Sequence, residues 1–159
     1  MYPWRFYLDQ LIHFVLAKSR HGTHSPFVYR LVDELIYPKR RMGEPRHKVL
    51  RLTERLIKQF GPQQIYYTDA AKLPEGRLDF VVTHGSDAGR ISDNLTQLWP
   101  QLHVDSVLVV EGIYRNAGMK RLWQSIQTKA EVTVTVDLLR VGLVFFHLGQ
   151  AKEHFRIRY

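Results

Sequence analysis

The 159-residue chain contains no cysteine. This excludes disulfides, thiolate metal sites and cysteine nucleophiles, and gives no sign of an oxidising compartment. Long hydrophobic runs are also missing near the start. Phe14 to Ala17 is too short for a membrane span or a signal-peptide core, and no small-residue cleavage site follows it. A cytoplasmic location without membrane attachment is therefore expected. Acidic residues are scarce early: residues 1 to 60 carry twelve Lys/Arg against five Asp/Glu, net +7 of the total +8. The remainder is nearly balanced, with eleven against ten. What is present, 45% hydrophobic and 12% aromatic residues, suffices for the core of one domain.

The first sixty residues show helical periodicity. Trp4, Leu8, Leu11, Ile12, Val15 and Leu16 predict an amphipathic helix over about 4 to 18. The phrase "HGTHSPF", His21 to Phe27, places two histidines beside a serine, which suits either a chemical site or a helix start. Ser25 before Pro26 is a strong N-cap signal, and Phe27, Val28, Leu31, Val32, Leu35 and Ile36 form the stripe of the helix it would open. With no third ligand nearby in sequence, no metal site is expected at His21 and His24. "PKRRMGEPRHK", Pro38 to Lys48, looks like a solvated, proline-bounded linker. A third helix is expected over Arg46 to Phe60, with Val49, Leu52, Leu56 and Phe60 on one side and Gly61-Pro62 as its stop.

After Pro62 the period changes. Gln63 to Asp69 and Arg77 to Gly85 are strand candidates, the second continuously apolar as in a strand covered on both faces. Helices are expected over Asp87 to Trp99 and Ala117 to Gln127, with a buried strand, Val104 to Gly112, between them. "EVTVTVDLLRVGLVFFHLG" suggests two strands meeting near Leu139 to Val141. The alternation implies a mostly parallel α/β sheet closed by an antiparallel hairpin. A helical segment, 1 to 60, precedes this α/β core, 61 to 159, in one domain.

Four phrases, in order, resemble a bacterial family of class I S-adenosylmethionine-dependent methyltransferases of the small O-methyltransferase-like kind. "HGTHSPFVYRLVDELIY" is similar to that family's "HGxHSPFVF", and "LDFVVTHGSD" to its "D-x-V-x-I-D-G-N-H". "VLVVEGIYRNAGM" is similar to "VLxDDIYWSxGM", and "VTVTVDLLRVGLVFF" with "KEHFRIR" to its C-terminal part. The resemblance implies a Rossmann-like methyltransferase sheet, here reduced. The glycine-rich turn that lets backbone approach the cofactor is missing, because "QQIYYTDAAKLPEG" stands where it should follow the third helix. The resemblance thus implies that a block holding that turn, the second strand with its ribose-binding acid and their helices is missing, and Ile65 to Thr68 stands in for either the family's first strand or its third.

The family's acids are altered as well. His84 stands at its strand-end aspartate, Asp87 at its histidine, and Glu111 and Gly112 at an adjacent acid pair, with Tyr114 retained. The expectation is a non-catalytic, methyltransferase-like domain with a binding or structural role and no cofactor. It would be a homodimer or partner-bound through an edge strand at "QIYYT". One alternative is an active O-methyltransferase that recruits S-adenosylmethionine through Asp69, His84, Glu111 and Tyr114. Asp87 would join its acid/base cluster, and His21 and His24 would lie on the substrate side. Plainer roles for these residues are Asp87 as a helix cap, His84 as a half-buried turn residue and Asp69 as a solvated turn acid. Another alternative is nucleic-acid binding through Lys39, Arg40, Arg41, Arg46 and Lys48.

Overall fold

A computed structural model describes residues 4–17, 25–70, 72–149 and 151–159. Helix α1 spans Trp4–Leu16. α2, Pro26–Leu31, starts at Ser25, whose hydroxyl accepts from the Val28 amide at 3.4 Å, with Pro26 at the first helical position. It passes into a π-helical turn, Val32–Ile36, in which the Tyr37 amide reaches back five residues to the Val32 carbonyl at 2.9 Å. α3, Lys48–Phe60, ends at Gly61, which takes the left-handed conformation at φ 55°.

The strands are β1 (Ile65–Tyr67), β2 (Leu78–Thr83), β3 (Leu102–Glu111), β4 (Val134–Asp137), β5 (Val141–Phe145) and β6 (Glu153–Arg156). They form one mixed sheet in the order β1-β2-β3-β5-β4-β6. All run one way except β5, which is antiparallel to both its neighbours. α4 (Ala88–Leu98) connects β2 to β3, and α5 (Ala117–Thr128) connects β3 to β4. The parallel step from β1 to β2 has no helix among the described residues; residues 68 to 70 and 72 to 77 are turn and loop. β6 adds a strand that the sequence pattern did not signal. Only its Phe155 is buried, and the chain "EHFR" is too polar to read as a strand.

Two apolar layers sandwich the sheet. Phe80, Val82, Val107, Val109, Val136, Leu143 and Phe145 point to one face, where Val28, Leu31, Val32, Leu52 and Leu56 of α2, the π-turn and α3 cover them. Val81, Leu108, Val110 and Val144 point to the other, under Ile91, Leu95, Met119, Trp123 and Ile126 of α4 and α5. Both helices of the β2-to-β3 and β3-to-β4 connections thus lie on one face, as same-handed crossovers require. Among the described residues no helix is long and apolar enough to cross a membrane.

The expected apolar stripe of α1 does not face this core. Trp4 is 70% exposed and Val15 68%, and Leu8, Leu11, Ile12 and Leu16 are exposed too. The buried side chains of α1 are Phe6 and His13. The helix is docked by a narrow mixed face of Phe6, Asp9 and His13, and this reverses the orientation that periodicity implies.

Candidate functional site

In open α/β sheets, ligands bind outside the carboxyl ends of the strands. Here that edge brings together the ends of β2, β3 and β4. His84 follows β2, and its Nδ1 lies 3.0 Å from Glu111 Oε2 at the end of β3. The oxygen is an acceptor, so the ring nitrogen donates. The His84 amide donates to Thr68 Oγ1 at 3.0 Å, and the Asn94 side chain donates to the Thr68 carbonyl at 3.1 Å. Tyr67 stacks on the imidazole, 9° from coplanar with centroids 5.6 Å apart. The pair is partly open to solvent, with side chains 38% and 25% exposed.

Tyr114 does not join it. The chain turns after β3, and the Tyr114 hydroxyl donates to Asp137 Oδ2 at 2.6 Å. Asp137 ends β4 and is 2% exposed. His13 of α1 places Nε2 3.0 Å from Asp137 Oδ1 and 3.1 Å from its carbonyl oxygen. Both neighbours are acceptors, so Nε2 carries the proton. The Leu139 amide donates to Oδ1 at 2.9 Å, and Arg156 Nε lies at ion-pair distance, 3.5 Å from Oδ2, without hydrogen-bond alignment. Burial pushes this carboxyl up, but the hydrogen bonds from His13, Tyr114 and Leu139 outweigh it and hold the group below the usual aspartate value. Burial, and then the negative Asp137, push the Tyr114 hydroxyl well above the ordinary tyrosine range.

The remaining sequence candidates are dispersed. Asp87 caps α4, its Oδ1 accepting from the Arg90 amide at 3.1 Å. Asp69 sits exposed in the turn after β1. His21 and His24 lie outside the described residues. Among the described residues no group of three or more His, Asp or Glu is placed to hold a metal ion. Of the alternative site of Asp69, His84, Glu111 and Tyr114, the structure brings together His84 and Glu111, beside a separate buried centre on Asp137. Sequence reasoning missed that centre. Its signals were an acid closing the apolar alternation "VTVTVD" and a single histidine interrupting the apolar residues of α1.

α1 spans this edge. Besides the His13 contact, Asp9 pairs with Lys120 in the first turn of α5. Phe6 joins the apolar layer under α4 and α5, and Arg158 donates to the Phe14 carbonyl at 2.9 Å. The segment 38 to 48 is likewise more structured than a solvated linker. Glu44 folds back onto Arg55 at 2.7 Å, and hydrogen bonds from that guanidinium and the Arg41 amide bring its carboxyl down to about 2. Lys39, Arg40 and Lys48 line a cavity with α1 and the C-terminal residues. Arg41 faces a different groove that also contains Asp33, Glu34 and Glu54, so the basic segment does not form one continuous track.

Compared with protein-family models, curated proteins and solved structures, the chain matches none.

Proposed function

We propose that this chain is a reduced, methyltransferase-like domain of Rossmann type that binds a partner and does not transfer methyl groups. The observation that carries the reading is the closure of the carboxyl end of β4. Asp137 is consumed by four internal contacts, and α1 docks on it through His13. No glycine-rich turn follows β1, so the backbone cannot approach a cofactor there. The sheet order is consistent with the deletion inferred from sequence. A doubly wound order 3-2-1-4-5-6 that loses strands 2 and 3 leaves its first strand at an edge, and β1 is an edge strand with no helix among the described residues between it and β2.

Calorimetry with S-adenosylmethionine and S-adenosylhomocysteine tests the reading. Neither is expected to bind at concentrations near a millimolar, a threshold that corresponds to about 4 kcal/mol. Stoichiometric binding of either would overturn it.

One observation favours a second reading as an active methyltransferase. His84 and Glu111 form a half-exposed dyad at two strand ends, the arrangement of an oriented general base. Under that reading His84→Ala abolishes methyl transfer to any acceptor while leaving cofactor binding intact.

The partner under the first reading is a second copy of the chain at the β1 edge. Ile65 is 41% and Tyr67 38% exposed there, and no charge or proline interrupts the strand. The opposite edge, β6, carries Glu153, His154 and Arg156.

A further inference from the structure

We infer that the cavity between α1, the turn after the π-helical segment, α3 and the C-terminal residues is a binding site for a phosphate-bearing ligand. Its volume is about 490 Å³, within the range of small-ligand pockets. Lys39, Arg40, Lys48, Arg51, Arg158 and His13 line it, and among the described residues no acidic side chain does. Among the described residues none of the five Lys and Arg side chains forms a salt bridge with a carboxylate.

Backbone carbonyls and aromatic faces hold these cations instead. Arg158 stacks over the Phe14 ring at 4.2 Å and spends Nε and Nη2 on the Phe14 carbonyl, leaving Nη1 unengaged among the described residues. Lys48 Nζ sits 5.2 Å from the Tyr159 ring centroid, and the Tyr159 hydroxyl donates to the Lys48 carbonyl at 2.7 Å. Arg51 is only 9% exposed; its Nη1 donates to the Pro45 and Arg46 carbonyls, and its Nε has no hydrogen-bond partner. Arg51 is thus a buried guanidinium with an orphaned donor, which an anion in the cavity would satisfy, and the four other cations around it are exposed to solvent at the cavity wall. Glu44, eleven residues before Arg55, shows the alternative: on that side of the segment the chain supplies its own acid.

A phosphate monoester matches this lining better than a single carboxylate does, because it offers two negative charges and several acceptor oxygens to converging Arg and Lys donors. Phe14 and Tyr159 provide faces for an apolar or aromatic body. Phe14 also belongs to the exposed apolar side of α1, so the phosphate could come from a soluble ester or from a lipid headgroup. The site shares His13 and the docked α1 with the Asp137 cluster, but its Lys and Arg side chains lie outside the Asp137 and His84 clusters and its ligand does not depend on whether a cofactor binds at the strand ends.

Calorimetry with phenyl phosphate, and co-sedimentation with phosphatidylcholine vesicles with and without phosphatidic acid, a phosphomonoester lipid, test the proposal. Phenyl phosphate is expected to bind one to one, or the phosphatidic acid vesicles alone to retain the protein; the first result assigns a soluble ester, the second a lipid. In either case Lys39→Gln and Lys48→Gln, both at exposed positions, should each weaken binding about tenfold, with unchanged melting. No binding in both arms, indifference to the two substitutions, benzoate binding as tightly as phenyl phosphate, or equal retention by neutral vesicles would overturn it. So would binding of a single-stranded oligonucleotide, steep in salt, that phenyl phosphate fails to displace.

Discussion

At the scale of single residues, Asp137 shows how an acid at a strand end of an α/β sheet can be held entirely by contacts within the fold. Its two oxygens and its carbonyl receive Tyr114, Leu139 and His13, and its folded carboxyl lies below the ordinary value of 3.8. A depressed carboxyl contributes stability that is fully present above the unfolded value and lost as pH falls through the folded one. Asp137→Asn should therefore cost about 3 kcal/mol at neutral pH by leaving its donors imperfectly paired. It should also flatten the fall in stability below about pH 4. Urea unfolding of parent and variant at pH 7 and between pH 4 and 2 measures both; identical acid limbs would contradict the assignment. Local signals were legible at this scale. Ser25, Asp87 and Gly61 cap their helices as residue type and position suggest. Tyr114 was not, because its partner lies 23 residues away on another strand and only the packed sheet brings them together.

At the scale of elements, continuous apolar runs marked β2, β3 and the β4–β5 hairpin because burial on both faces admits little else. The hairpin turns at Leu139, a left-handed residue at φ 67° whose amide Asp137 holds. Gly142 in β5 is required by packing: a Cβ there would lie 2.5 Å from the Trp123 ring of α5. Gly142→Ala should cost about 2 kcal/mol, because the fully buried indole has no room to withdraw. A melting temperature equal to the parent's would mean that α5 sits farther from the sheet. Helix α1 marks the limit of pattern reading. Periodicity locates the helix, but its apolar stripe points outward because the polar contacts of Asp9 and His13 fix which side docks. A stripe identifies an amphipathic helix without saying which face the fold will use.

At the scale of the whole molecule, charge and edges shape behaviour. Most of the net positive charge lies in the first sixty residues, and the fold gathers part of it with Arg158, from the far end of the chain, around one cavity. That convergence was invisible in sequence because it joins positions over a hundred residues apart. The β1 edge is only three residues long, so pairing through it needs its exposed Ile65 and Tyr67 side chains as well as its amides. Light scattering on the parent is expected to give a dimer, and Tyr67→Lys, which puts a charge into the edge, a monomer. A monodisperse parent monomer, or a dimer indifferent to the lysine, would contradict edge pairing.

The docking of α1 on the sheet's carboxyl edge carries the reading of a binding domain, and the His13 to Asp137 contact is its centre. A double-mutant cycle with His13→Ala, Asp137→Ala and the double variant, followed by urea unfolding at pH 7, measures that contact directly. The predicted coupling is about 1 kcal/mol or more in favour of the pair. A coupling near zero would contradict the account, since it would mean that the helix does not close the strand ends in solution.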